Sequence, residues 1–111
     1  MSGGPTLSTH VLDIERGVPA AGVSVELSHA GRRVAQAATD ADGRIRDIGA
    51  GALEPGEYAL AFDVGAYYQA QGRPTSFLRR VSIEFSAHPG DAHYHVPLLV
   101  SPYACTSYRG S

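Results

Sequence analysis

Alternation of apolar and polar residues with period two runs along most of this chain, and it leaves little room for any class but sheet. In Gly22–Ser28, Val23, Val25 and Leu27 share one parity while Ser24, Glu26 and Ser28 share the other. Successive strand side chains point to opposite faces, so such a run buries one face and wets the other. Arg33–Thr39 repeats the scheme more weakly, with Ala30–Gly31 as the hairpin turn between them. Asp40-Ala-Asp-Gly43 reads as a second turn, because Asp bonds its own backbone and Gly takes a positive φ. Arg44–Ile48 continues as a short strand. Gly49, Gly51, Pro55 and Gly56 suit a loop, and Glu57–Val64 restarts the alternation with Tyr58, Leu60, Phe62 and Val64 on one face. Ala66–Gly72 has the composition of a short helix with Gly72 as its stop. Phe77–Phe85, His93–Val100 and Tyr103–Tyr108 read as further strands. His88-Pro-Gly-Asp91 is a turn, and Pro102 breaks the last pair because it lacks a ladder N–H. Seven to eight short strands, tight turns and one short helix predict an all-β, two-sheet sandwich.

Composition narrows the class further. The 111 residues fit one domain, with 43% hydrophobic residues, 18% charged residues and a net charge of −2. Near-neutral charge gives no footprint for nucleic acid, since phosphate binding needs clustered cations. Arg32–Arg33 and Arg79–Arg80 are short and far apart. No apolar run approaches the roughly 20 residues that span a bilayer, so no membrane partner is expected. Met1–Ser8 lacks the basic and apolar regions of a secretory leader, and Arg109-Gly-Ser111 is no peroxisomal address. The expected location is the cytoplasm. Residues 1–6 read as a flexible N-terminus and 7–111 as the folded domain. The single cysteine, Cys105, cannot form an intrachain disulfide and is expected to pack as a small hydrophobe.

The common catalytic signatures are missing: no Gly-x-Ser-x-Gly elbow, no His-Glu-x-x-His, no phosphate-cradling glycine loop and no Cys-x-x-Cys. Histidines and arginines in unusual places remain. His93-Tyr-His95 puts two imidazoles side by side on one strand face. Such a pair could bind metal, share a proton-transfer site or lie on a wetted or interfacial surface. A zinc site needs a third protein ligand, and no nearby Cys, Asp or Glu is compelling. His10 shares its parity with Ser8, Leu12 and Ile14, which fits a half-buried strand histidine. Arg44 directly follows a turn and, like Arg46, reads locally as a solvated cation. His29 and His88 fall at turn edges and are expected to face solvent.

Taken together, these stretches resemble the 5-hydroxyisourate hydrolases of the transthyretin-like family. Leu7-Ser-Thr-His-Val-Leu-Asp13 followed by Gly17-Val-Pro-Ala20 is similar to that family's opening. Thr39-Asp-Ala-Asp-Gly-Arg-Ile45 is similar to its middle motif, and Phe62-Asp-Val-Gly-Ala-Tyr67 to the strand leading into its small helix. His93-Tyr-His-Val-Pro-Leu-Leu-Val-Ser-Pro102 and the ending Tyr108-Arg-Gly-Ser111 carry most of the specificity. Ala104 and Cys105 depart from the Gly and Tyr expected before that ending, which bears on packing more than on chemistry.

The resemblance implies a transthyretin-like sandwich assembled as a homotetramer, with active sites where dimers meet. It implies 5-hydroxyisourate as substrate and 2-oxo-4-hydroxy-4-carboxy-5-ureidoimidazoline as product, with no metal or organic cofactor. Catalytic roles carry over to His10, Arg44 and His93, and substrate contacts to His10, Arg44, Tyr108 and Ser111. Arg44 rather than Arg46 is the match, because it follows the Asp-Gly turn. The residues suit the reaction, since a neutral imidazole can take a proton from water and a guanidinium can steady a developing oxyanion. Either His10 or His93 could be the base. Two rivals stand beside this reading. A transthyretin-type carrier has no need of paired imidazoles, and the sandwich modules of surface proteins have no reason to end in Tyr-Arg-Gly-Ser.

Overall fold

The alternation predicts which side chains meet, and the computed structural model, which describes residues 5–49, 53–73 and 77–111, shows two sheets closed on that shared face. The elements are β1 (Thr6–Asp13), β2 (Val18–Pro19), β3 (Ser24–His29), β4 (Arg32–Ala38), β5 (Arg44–Ile45), β6 (Gly56–Phe62), α1 (Val64–Ala70), β7 (Val81–Ala87), β8 (His93–Val100) and β9 (Cys105–Ser107). One sheet runs β2-β1-β8-β9, with β5 also paired to β1; the other runs β4-β3-β6-β7. β1 and β8 are parallel, and every other named pair is antiparallel. β8 takes one edge of β1, so β2 and β5 follow one another along its other edge.

The inward parities form one core. Leu7 and Val11 of β1 and Leu98 and Val100 of β8 face Val25, Leu27, Leu60 and Phe62 of the opposite sheet, all fully buried. Each such aliphatic or aromatic side chain contributes about 1.5–3 kcal/mol of transfer free energy. The opposite parity of β1, comprising Thr6, Ser8, His10 and Leu12, stays half-buried on the outer face. That outer face carries Ser8 and His10 of β1.

Several expected boundaries shift, each for a local reason. β1 opens at Thr6 and Pro5 is buried, accepting a hydrogen bond from Leu53, so residues 5 and 6 belong to the fold. Residues 1–4 lie outside the described residues. β5 ends at Ile45 instead of Ile48, because Ile48 turns its N–H to the Leu7 carbonyl at 3.0 Å and buries its side chain. Val64 leaves the expected strand and opens α1, because Asp63 caps the helix by accepting from Ala66 N–H at 3.1 Å. α1 therefore runs Val64–Ala70 instead of 66–72, with Gly72 just beyond it at φ 67°. The strand expected over Phe77–Phe85 is β7 at Val81–Ala87; Leu78 instead donates to the Pro102 carbonyl at 2.9 Å, and Phe77 is exposed. Part of the expected loop, residues 50–52, lies outside the described residues.

Two side chains also differ from expectation. Cys105 is exposed rather than packed, because it begins the short edge strand β9. His29 is half-buried rather than solvent-facing, stacked on Tyr58 with ring centroids 4.3 Å apart. No helix among the described residues is long and apolar enough to cross a membrane.

Candidate active site

Register, more than any single motif, assembles the site. The parallel pairing of β1 with β8 sets Thr6 opposite His93 and Ser8 opposite His95 on the outer face. The antiparallel pairing of β1 with β5 sets His10 opposite Arg44. The turn before Arg44 fixes its approach. Asp40 accepts from Asp42 N–H at 2.9 Å and Arg44 N–H at 3.0 Å through one carboxylate oxygen. The bond from Arg44 is the main influence holding the Asp40 carboxyl below its ordinary value. Gly43, at φ 76°, brings its carbonyl to Val11 N–H at 2.7 Å.

The result is a cleft of about 310 Å³ lined by Ser8, Arg44, Arg46, His93, His95 and Ser111. Arg44 is half-buried and Arg46 exposed, and neither forms an ion pair among the described residues. The guanidinium of Arg44 is thus available to an oxygen of a ligand. Ser8 Oγ lies 2.9 Å from His93 Nε2 and 2.8 Å from His95 Nδ1, so one hydroxyl joins two imidazoles. The other His93 nitrogen, Nδ1, bonds Thr6 Oγ1.

His95 is the imidazole most shaped by this environment. Burial, then the positive charge of Arg44 and the neighbouring His10 and His93, push its pKa below the ordinary value. It is therefore neutral at neutral pH, with a lone pair to offer. Residue 110 seals its far side. Gly110 N–H donates to the His95 carbonyl at 2.6 Å, and a Cβ at Gly110 would stand 2.5 Å from His95 Cδ2. Only glycine lets the chain lie this close to the ring.

Of the residues expected from sequence, Arg44, His93 and Ser111 line this cleft; His10 does not line it but pairs with Arg44 across β1–β5 and acts electrostatically on His95. Tyr108 does not. It is 58% exposed and lines a separate groove of about 490 Å³ with Ile83, Phe85, Tyr94 and Arg109. Two participants had no role in the sequence reading: Ser8, and His95 beyond its pairing with His93. Strand parity puts Ser8 with His10 on one face of its strand and His93 with His95 on one face of theirs, but only the β1–β8 register tells which of them touch. Among the described residues, no group of three or more His, Cys, Asp and Glu side chains is arranged to hold a metal ion.

The chain as a whole has close counterparts in sequence and backbone. A model of the HIUase/Transthyretin family matches residues 7–110. The 5-hydroxyisourate hydrolase of Caulobacter vibrioides is 46% identical over 112 residues, covering 95% of this chain and 97% of its own length. The solved structure of Klebsiella pneumoniae 5-hydroxyisourate hydrolase aligns with a TM-score of 0.89 at 43% identity, over 96% of this chain and 99% of that one. Transthyretin from Sparus aurata aligns with a TM-score of 0.84 at 31% identity, over 95% and 96%. With nearly its whole length matched in sequence and in backbone, the chain belongs to the HIUase/Transthyretin family.

Proposed function

We propose that this protein hydrolyses 5-hydroxyisourate to 2-oxo-4-hydroxy-4-carboxy-5-ureidoimidazoline, a step of urate breakdown. The observation that carries this reading is the cleft itself, where a neutral, half-buried imidazole stands beside an arginine in no ion pair. A carrier for an apolar ligand gains nothing from that pairing. Water opens a cyclic amide when a base removes its proton and a cation steadies the oxygen of the tetrahedral intermediate. The geometry supports His95 as the base ahead of His93, because His93 is exposed and both of its ring nitrogens are already engaged. His95 uses only Nδ1 towards Ser8, which leaves Nε2 for water. Arg44 receives the oxyanion, His10 orients the substrate from across the β1–β5 pair, and Ser111 closes one wall.

Tyr108 faces away from the cleft of its own chain. A homotetramer with sites where dimers meet accounts for its role as a substrate contact, because a second copy then completes the wall. The half-buried outer positions Leu12 of β1 and Leu99 of β8 are the surface such an assembly would cover, while His93 at the start of β8 is exposed.

The test is direct. 5-Hydroxyisourate generated in place by urate oxidase should lose its ultraviolet absorbance faster with the protein than without it. His95→Asn and His10→Asn should each lose most activity, and Arg44→Lys more than tenfold, since lysine lacks the planar fork. Because the His95 pKa is lowered, kcat/KM should hold down to the ordinary imidazole value of about 6.5 and fall only below it. Near-normal turnover in both histidine variants would rule out this chemistry.

A further inference from the structure

Hydrolysis to a carboxylate leaves a proton to dispose of, and the contacts of Ser8 suggest where it goes. Water brings two protons to the ring opening. One ends on the released ring nitrogen, and the other comes from the new acid group, which is ionised at neutral pH. While product fills the cleft, that second proton needs a path other than the cleft mouth. His95, Ser8, His93 and Thr6 form an unbroken line of hydrogen-bonding atoms, with spacings of 2.8, 2.9 and 2.5 Å from His95 Nδ1 to Thr6 Oγ1. The line starts at a half-buried ring in the cleft and runs through the exposed ring of His93 to half-buried Thr6.

Resting on the hydrolase reading above, we propose that Ser8 and His93 form a proton relay that sets the tautomer of His95 and carries one proton per turnover to solvent. A serine hydroxyl has a single hydrogen, so it donates to one imidazole and accepts from the other. When Ser8 donates to His93 Nε2, it accepts from His95 Nδ1–H, and His95 Nε2 is bare and able to act as base. His95 takes the first proton from water as the oxygen bonds to the carbonyl carbon. It returns that proton to the ring nitrogen as the C–N bond breaks.

The acid proton then passes to His95 Nε2. His95 Nδ1–H moves to Ser8 Oγ, the Ser8 hydrogen moves to His93 Nε2, and His93 passes its Nδ1 proton to Thr6 Oγ1, which releases its own hydrogen to solvent. Once product leaves, solvent returns a proton to His93 Nδ1 by way of Thr6, the hydrogens shift back, and water in the cleft takes the proton on His95 Nε2. The reset has no net proton cost, so one proton is exported per turnover. The charged and titratable groups facing His95 from neighbouring strands, Arg44 on β5 and His10 on β1, both favour this export by repelling positive charge from the ring.

Ser8→Ala and His93→Gln break the line while keeping the size of the cleft. Both are assayed against wild type at low buffer concentration and with added imidazole, which can carry protons in place of the relay. Wild-type kcat should not depend on buffer. Each variant should fall at least fivefold at low buffer, recover with imidazole and keep its KM within twofold, while Ser8→Thr, which retains the hydroxyl, should regain most of the low-buffer kcat that Ser8→Ala loses. Full kcat at low buffer in both variants would overturn the relay. So would a loss that imidazole does not repair, because a structural defect gives that result. If wild-type protein leaves 5-hydroxyisourate to decay at its spontaneous rate, the hydrolase reading fails. The relay is then judged by nitrogen-15 spectra of the imidazoles: His93→Gln must change the tautomer ratio of His95, and Ser8→Ala must remove its dependence on His93. An unchanged ratio in His93→Gln would overturn it.

Discussion

Asp13 shows how much a single side chain can carry outside the site. It is fully buried at the end of β1, where its carboxylate accepts from Tyr67 Oη at 2.9 Å, Arg73 at 2.6 Å and the backbone N–H of Arg16 at 3.1 Å. Arg73 also pairs with Glu15 and lies over the Tyr68 ring, 4.5 Å from its centroid. Burial also pushes the Tyr68 hydroxyl up to about 12. For Asp13, burial alone would raise the pKa, but the hydrogen bonds from Arg73, Tyr67 and Arg16, with the Arg73 charge, outweigh it and hold the value below normal. The stability this gives is fully present above the unfolded carboxylate pKa of about 3.9 and is lost as pH falls through the lower folded value. Asp13→Asn should therefore cost about 3 kcal/mol at pH 7 by leaving Arg73 without its buried carboxylate partner, and the gap to wild type should narrow as pH falls from about 3.9 through the lower folded value. Urea titrations at neutral pH and well below the ordinary carboxylate value check this, and an equal gap at both would overturn it. The side-chain partners of Asp13 lie 54 and 60 positions away, beyond the reach of local pattern. The same limit hid the pairing of Ser8 with His95, 87 positions apart, although each residue's face was legible.

At the level of elements, the turns proved more legible than the strand ends. Asp40–Gly43 folds as its composition demands, because Asp and Gly favour that geometry whatever surrounds them. β7 starts later than the apolar character of Phe77 and Leu78 implies, because a loop contact to Pro102 takes the Leu78 N–H. The site depends on the legible part. Gly43 holds φ 76°, and a Cβ there would stand 2.5 Å from the Val11 carbonyl oxygen. Backbone at that contact cannot swing aside as a side-chain tip could. Gly43→Ala should cost about 2 kcal/mol or more, the left-handed conformation alone accounting for 1–2 kcal/mol. It should also push β5 off β1 and carry Arg44 away from His10. Thermal melting should show the lost stability, and kcat/KM should fall at temperatures where the variant is still folded. Wild-type melting with wild-type kcat/KM would refute this account of how Arg44 is positioned.

Across the whole molecule, residues 108–111 connect regions that the strands leave separate. Tyr108 lies in the groove beside Ile83 and Phe85 of β7, on the sheet opposite the one that carries the cleft. Arg109 sits over the Tyr94 ring at 4.6 Å and within 4.0 Å of the Asp91 carboxylate, which fixes the segment to the start of β8. An exposed cation–π contact of this kind contributes about 0.5–1 kcal/mol, enough to order a short segment but small beside the core. Gly110 then packs on His95, and Ser111 lines the cleft. None of the four is fully buried, and the β8–β9 ladder ends at Ser107, so the sandwich does not need them to fold. The site does need them, because they hold the main-chain carbonyl of His95, cover one side of its ring and form a wall. Deleting residues 108–111 should leave circular dichroism unchanged and shift the melting temperature by only a few degrees, about the loss of one such contact. Hydrolase activity should fall at least a hundredfold. Size-exclusion chromatography of the same sample separates two causes: an elution unchanged from full-length protein assigns the loss to His95 and the cleft wall, whereas a shift to smaller species assigns it to the Tyr108 groove as a contact between copies. Full-length turnover by the truncated protein would contradict both, and with them the place given to this segment in the site.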